Sequence, residues 1–318
     1  MNKIHNLSNQ IARPTYEIDV NEKIICYDSS LPSIHGENVI LIGFKRRILI
    51  LAFDFGTAEE PNFEYKKIKE IAESETKILK LCSQVIARNI VFASCSNYTI
   101  NVFSANETEA NCLTKIDAHS SYINSIDFSD EYIASGSDDH TCKIFSVKDN
   151  YEQHSVLNFS ASVTCVKFNP EELNKLLISV KNGNLFIYCL KLRQSLYSFY
   201  THAPLMYFDW SIKNPCIVAA IAYDQIFYFD ISKPDIPIYS KRLNDVGKII
   251  SIHPHNPLIS AVICNRAATE LKVVHQKSTI SNLFSTKIIA YSGNVTWHSS
   301  YLIAGSDRKI CFYKIPIA

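Results

Sequence analysis

The sequence predicts an all-β fold: one seven-bladed β-propeller, closed by an N-terminal strand that completes the last blade. Three observations predict it. A short apolar strand ending on a large residue recurs seven times at nearly even spacing. One repeating unit, Leu113 to Phe145, can be read from end to end. An alternating segment, Thr15 to Val20, stands ahead of the first copy, and the last copy is followed by too few residues for another strand.

The elements follow in chain order. Residues 1–13 are polar and lack periodicity, so they are expected to form a flexible tail, with a single propeller domain over 14–318. The recurring strands are Arg47–Leu51, Asn97–Phe103, Thr141–Phe145, Asn182–Tyr188, Ile226–Asp230, Leu271–His275 and Lys309–Tyr313. Their closing residues, Leu51, Phe103, Phe145, Tyr188, Phe229, His275 and Tyr313, stand 52, 42, 43, 41, 46 and 38 residues apart. Propeller repeats of four strands have a period of about 40–45 residues. The long first interval is assigned to a loop around Gly56 to Asn62. Val39–Ile42, Ile48–Phe53 and Cys216–Ala222 are apolar without alternation, as in sheets buried on both faces. Lys66 to Lys80 reads as an outer strand, a turn and the next inner strand, although Ile68, Ile71 and Ile78 would also suit a helical stripe. Ring closure requires Thr15–Val20 to supply the missing outer strand of blade seven.

The clearest unit carries Ala118-His119, then Tyr122 to Phe128, then Tyr132-Ile133-Ala134-Ser135-Gly136-Ser137. A polar turn, Asp138-Asp139-His140, leads into Thr141-Cys142-Lys143-Ile144-Phe145. This resembles a WD repeat with Phe145 where the Trp would stand. The resemblance implies a buried structural relay of His119, Ser135 and Asp139, with Phe145 in the last place but lacking an indole N–H. The same Ser, His and Asp are the ingredients of a hydrolase triad. They fall at structural positions of one repeat, and no nucleophile elbow accompanies them, so the structural role is preferred.

Other motifs read as structure. Asp138-Asp139-His140 is a turn whose adjacent side chains point apart, not a metal cluster. In His253-Pro254-His255 the proline ends a strand, and no further ligands have suitable spacing. Trp210 and Trp297 close inner strands and are expected in the core. Asn169-Pro170-Glu171-Glu172-Leu173 is an exposed acidic loop, either contact surface or solvated turn. Lys45-Arg46-Arg47 lies between two apolar runs and reads as a hairpin turn.

Composition narrows the function further. Lys and Arg number 32 and Asp and Glu 31, a net charge of +1 that gives no basic footprint for direct nucleic-acid binding. The 10 cysteines are scattered without Cys-x-x-Cys spacing, which argues against a zinc site and for a reducing compartment, cytosol or nucleus. No apolar run approaches membrane-span length, and Met1–Pro14 lacks a signal-peptide core, so no membrane insertion is expected. The sequons at Asn6, Asn97, Asn106, Asn158 and Asn294 then read as chance matches. With 8 glycines and no phosphate loop, no cofactor is expected.

Four further segments carry a more specific resemblance: Asp138 to Ile144; Asn169-Pro170-Glu171-Glu172 continuing to Lys181-Asn182-Gly183; Ala203-Pro204-Leu205-Met206 continuing to Trp210 and Lys213-Asn214; and Val295-Thr296-Trp297-His298 followed by Ala304-Gly305-Ser306-Asp307. Their order and spacing are similar to those of the thirty-seven-kilodalton WD-repeat nucleoporin family, and the similarity extends over most of Tyr16 to Tyr313. That family belongs to the Y-shaped outer-ring complex of the nuclear pore. The resemblance implies a non-catalytic scaffold subunit at the nuclear envelope, supporting pore assembly and the transport of protein and mRNA. It implies docking on a large Y-complex nucleoporin with an N-terminal propeller and a helical domain, among other Y-complex subunits. No partner-binding residues can be carried over. The alternatives are a WD-repeat adaptor of a ubiquitin ligase, a chromatin peptide reader, and an enzyme with its site in the central channel. Ligase adaptors often carry Trp-Asp-x-Arg where this chain has Phe145-Ser146-Val147-Lys148. A channel lined by carboxylates or histidines with shifted pKa values would favour the enzyme.

Overall fold

A computed structural model describes residues 12–31, 37–56, 61–72, 77–86, 89–233, 236–265, 268–278 and 282–315. The tail assigned to 1–13 therefore lies almost wholly outside the described residues. Those residues form twenty-eight strands in seven four-stranded antiparallel sheets, with no helix among them. No helix is thus long and apolar enough to cross a membrane.

Blade one holds β2 (Cys26–Asp28), β3 (Asn38–Gly43), β4 (Arg47–Gly56) and β5 (Pro61–Ala72). Blade two holds β6 (Lys80–Ile86), β7 (Asn89–Cys95), β8 (Thr99–Ala105) and β9 (Ala110–Asp117). Blade three holds β10 (Ile123–Phe128), β11 (Tyr132–Ser137), β12 (Thr141–Ser146) and β13 (Glu152–Asn158). Blade four holds β14 (Val163–Phe168), β15 (Lys175–Val180), β16 (Asn184–Cys189) and β17 (Gln194–Tyr200). Blade five holds β18 (Leu205–Trp210), β19 (Ile217–Ala222), β20 (Gln225–Asp230) and β21 (Tyr239–Arg242). Blade six holds β22 (Gly247–Ile252), β23 (Ile259–Asn265), β24 (Thr269–His275) and β25 (Phe284–Lys287). Blade seven joins the chain ends: β26 (Tyr291–His298), β27 (Tyr301–Ser306), β28 (Lys309–Lys314) and, outermost, β1 (Tyr16–Asp19). All seven recurring strands are the third strands of their blades.

The pattern of the apolar runs explains the ring. In blade one, Leu41, Ile48 and Ile50 enter the cluster shared with Ile90 and Phe92 of blade two. Their neighbours Ile40, Ile42, Leu51 and Phe53 enter the cluster shared with Ile303 and Phe312 of blade seven. Alternate side chains thus serve opposite neighbours, so the strand needs apolar residues at every position. Close packing also explains Ser135-Gly136-Ser137: a Cβ at Gly136 would lie 2.4 Å from Val163 Cγ1 of blade four.

The stretched first interval has a different cause from the expected one. Beyond the five residues read as a strand, β4 continues to Gly56, and Gly56 pairs with Pro61 of a twelve-residue β5. The extra length is therefore largely hairpin; residues 57–60 of the proposed loop lie outside the described residues. Its added aromatics cross the closure seam. Phe63 stacks on Tyr16 at 4.7 Å, and Phe55 stacks on Tyr301 at 4.0 Å. In Lys66–Lys80 the strand reading holds: β5 ends at Ala72 and β6 begins at Lys80. Ile71 and Ile78 are buried in the same cluster between blades one and two.

Closure itself rests on four paired residues, Tyr16↔Phe312 to Asp19↔Lys309, extended by Thr15 N–H to Phe312 O (2.7 Å) and Val20 N–H to Arg308 O (2.9 Å). Ile18 is fully buried in the seam and Glu17 is exposed. Ile18→Ala is expected to cost about 2–5 kcal/mol in urea unfolding. Glu17→Ala, on the open face of the same strand, should leave the midpoint nearly unchanged. Equal effects would mean that closure does not depend on this contact.

Candidate functional site

The structure brings His119, Ser135 and Asp139 together in blade three. His119 precedes β10, Ser135 lies in β11, and Asp139 sits in the turn before β12. His119 Nε2 is 2.7 Å from Ser135 Oγ, and its Nδ1 is 2.9 Å from Asp139 Oδ2. Asp139 also accepts the backbone N–H of Ser120 (3.1 Å). Burial lowers the His119 pKa, partly offset by Asp139, so the ring is neutral. Nδ1–H then donates to Asp139, and Nε2 accepts from the Ser135 hydroxyl. Burial opposes the Asp139 charge, but hydrogen bonds from Thr141 and His119 outweigh it and hold the carboxyl at about 2.

Thr141, read as a strand residue, was not among the relay residues read from the sequence. Its backbone N–H and hydroxyl both reach Asp139 Oδ1, at 3.0 and 2.6 Å. An Asp followed two residues later by Thr is the signal of such a turn. Phe145 takes no part in the polar chain. It is buried among Ala118, Ile133 and other apolar side chains.

The order Ser135–His119–Asp139 is that of a hydrolase triad, and access decides between the readings. Ser135 is 0% exposed, inside the middle of a sheet. The His119 side chain is also sealed from solvent. A nucleophile must meet its substrate's carbonyl carbon, and none can reach this hydroxyl. The neighbouring turn residues diverge: Asp138 accepts from Asn124 Nδ2 (2.8 Å) while Asp139 faces His119.

The channel-facing ends of the inner strands hold polar links that sequence reading missed. Asp127 of β10 accepts the Phe168 N–H of β14 (2.7 Å). Asp209 of β18 accepts from Lys167 of β14 (2.7 Å) and from the Ile252 N–H of β22 (2.8 Å). Asp28 of β2 accepts from Ser83 of β6. Trp210 and Trp297 act alike, donating Nε1–H to the carbonyls of Lys167 (3.2 Å) and Ser251 (3.1 Å) in the preceding inner strands. The missed signal was a repeated dipeptide at the end of inner strands, Asp127-Phe128 and Asp209-Trp210.

Burial raises the Asp28 carboxyl and pushes Asp127 up to about 6. Shifted channel carboxylates of this kind are what an enzymatic channel would require. Here each carboxylate is engaged across a blade boundary. Among the described residues no group of three His, Cys, Asp or Glu side chains is placed to hold a metal ion.

The remaining motifs are turns or ties. His253 is buried, and its Nδ1 accepts the N–H groups of His255 (3.2 Å) and Asn256 (3.0 Å). Asn169 caps its acidic loop by accepting from Glu171 and Glu172 N–H, while its Nδ2 donates to Pro215 O of blade five (3.3 Å). Arg47 bridges Glu22 and Glu70, each at 2.7 Å. A recess of about 540 Å³ lies between the outer parts of blades three and four, floored by Ile178, Val180, Phe186 and Tyr188. Its floor offers packing area and no acid–base pair.

Comparisons with known proteins agree with this geometry. A WD domain, G-beta repeat, matches residues 110–146, the unit holding the relay. Nucleoporin Nup37 of Drosophila melanogaster is 26% identical over 323 residues, covering 96% of this chain and 99% of that protein. Nucleoporin Nup37 of Mus musculus is 25% identical, covering 70% of each, and that of Homo sapiens 26%, covering 69% of each. The chain is thus similar to WD-repeat nucleoporins over most of its length. A chain in a crystal structure of the mitotic checkpoint complex shares the fold, with a TM-score of 0.71 at 12% identity over 99% of this chain and 98% of that one.

Two tests follow from the buried polar groups. His119→Ala leaves Ser135 and Asp139 without their partner and should cost about 1–3 kcal/mol at neutral pH. Because the folded-state pKa of His119 lies below its ordinary 6.5, the contribution is present above 6.5 and lost as pH falls below it. The gap between wild type and variant in urea titrations should therefore narrow from pH 7.5 to 5.5; a constant gap would contradict a neutral, buried ring. Asp127 has the opposite sign. Its raised pKa means stability declines as pH rises from 3.8 through about 6. Asp127→Asn should raise the melting temperature at pH 7 and not at pH 4.

Proposed function

We propose that this chain is a non-catalytic scaffold subunit of the outer-ring Y complex of the nuclear pore. It docks on the large nucleoporin that carries an N-terminal propeller and a helical domain, and it supports pore assembly and nucleocytoplasmic transport. The observation that carries this reading is the similarity to a nucleoporin along almost the entire length of both proteins. Similarity spread over every blade favours a shared role for the whole ring, rather than one borrowed repeat.

The physical features suit such a role. A closed ring offers surfaces whose backbone is already ordered, so docking costs little conformational entropy. The relay of His119, Ser135 and Asp139, with Phe145 packed in the apolar cluster beside it, serves to hold one blade's turn and strands in register. The inner-strand carboxylates hold neighbouring blades together. The relay hydroxyl of Ser135 lacks the access that a nucleophile requires.

The reading is tested by affinity purification of the tagged full chain from nuclear-envelope extract, with mass spectrometry of the recovered proteins. The expected result is roughly one-to-one recovery of the large Y-complex nucleoporin. Recovery of ubiquitin-ligase or chromatin subunits with no pore proteins would overturn it.

A further inference from the structure

Propeller topology sorts the connections onto two faces. The links from first to second strand and from third to fourth share one face. The links from second to third strand, and from each blade to the next, share the other. Eight large aliphatic side chains are exposed among the described residues: Leu113, Val156, Leu192, Ile212, Ile236, Ile238, Leu283 and Ile289. Five of them, Leu192, Ile212, Ile236, Ile238 and Leu283, lie on first-face connections of three consecutive blades, four to six. Each is between 41% and 73% exposed. Such clustering is unexpected for scattered surface residues and marks an interaction site.

Lysines predominate on these connections, beside the acidic Glu171 and Glu172 of the blade-four loop and Asp230 of blade five. Lys191, Lys213, Lys233 and Lys277 are exposed on the same connections. None of their ammonium groups makes a hydrogen bond or ion pair among the described residues. Two neighbouring carboxylates are already engaged: Asp230 accepts from Ser232 (2.9 Å to its N–H), and Glu172 pairs with Lys175 (2.7 Å). Hydrogen bonds also join neighbouring blades beside these connections. Asn169 ties the blade-four loop to Pro215 beside Ile212. Lys241 of β21 donates to His275 O (3.0 Å) and Ser278 O (2.9 Å), joining blade five to the connection that carries Lys277.

We infer that this face of blades four to six is a docking surface for an acidic amphipathic segment of a partner protein, with aliphatic side chains on one side and carboxylates on its flanks. Aliphatic contacts supply the buried centre, and the lysines supply steering and a rim of ion pairs. A membrane surface or nucleic acid would meet the lysines but would leave the isoleucines without an apolar counterpart of defined shape. The inference rests on the chain being a docking subunit; it adds where the partner binds and what the partner's segment is made of.

The test uses the complex recovered with the tagged full chain. A zero-length carbodiimide crosslinker joins lysine amines directly to carboxylates. The expected products link Lys213, Lys233 or Lys277 to Asp or Glu residues of one partner segment that also carries aliphatic side chains. Ile212→Ser combined with Ile236→Ser, and separately Lys213→Glu combined with Lys233→Glu, should each lower recovery of that partner by ~tenfold or more while leaving the melting temperature unchanged. Tyr98→Ser combined with Tyr122→Ser, an exposed aromatic pair on the opposite face, should leave recovery intact. Full recovery with both patch variants, or crosslinks confined to opposite-face lysines such as Lys45 and Lys181, would overturn the inference even if pore proteins are recovered. Recovery of a different assembly that is lost with the patch variants would overturn the nuclear-pore reading and leave the surface standing. No partner recovered at all would overturn both.

Discussion

Every blade here is apolar on both faces, so each needs two neighbours, and only a closed ring provides them. The pairing of β1 with β28 satisfies that requirement. It joins residues almost three hundred positions apart in sequence, Glu17 with Cys311 and Ile18 with Ile310. Without it, blade seven would present a bare strand edge, and the cluster of Ile18, Ile40, Ile42, Ile303 and Phe312 would open to water. The long β4–β5 hairpin belongs to the same solution. Its aromatic side chains cover the seam from the blade-one side, stacking on Tyr16 and Tyr301. The irregular first repeat is thus where the ring adds apolar area to its most separable joint.

Closure also accounts for the tolerance of degenerate repeats. Among the described residues, only blade three combines a His, a Ser and an Asp in a hydrogen-bonded WD relay. Elsewhere, order between blades comes from bonds at the channel ends of the inner strands. Asp127 caps a backbone N–H of blade four, Asp209 reaches both blade four and blade six, and Trp210 and Trp297 each hold a carbonyl of the blade before. Such links cross a blade boundary, whereas the relay stabilises the inside of one blade. A ring that must stay closed gains more from the former, because relative movement of blades is the motion that opens it.

Much of this architecture could be read from the sequence. The third strands were legible because apolar runs ending on large residues recur near the propeller period. Thr15–Val20 was legible because the last copy lacked an outer strand. The relay residues His119, Ser135 and Asp139 were legible because the turn chemistry of Asp138-Asp139-His140 places them. The hairpin extension was not, because Gly56, Pro61 and Asn62 are turn-forming residue types although they lie within β4 and β5. Thr141 was hidden by its role as an ordinary strand residue. Two of the inter-blade carboxylates were missed for a deeper reason: they accept backbone N–H groups some forty residues away, Asp127 from Phe168 and Asp209 from Ile252. A backbone partner leaves no side-chain signature.

The balance between buried and exposed polarity then bears on function. Inside the ring, the polar groups are consumed by structure: Ser135 is sealed, His253 caps a turn, and Asp209 is bonded on both oxygens. Outside, exposed isoleucines and unpaired lysines gather on one face of blades four to six, on connections fastened by Asn169 and Lys241. Among the described residues, the polar groups of Ser135, His253 and Asp209 are committed to structural bonds. Docking needs apolar area and uncommitted charge on a rigid support, and that face offers both. The same closure that buries the blade faces also orders the backbone of the strands that carry these connections.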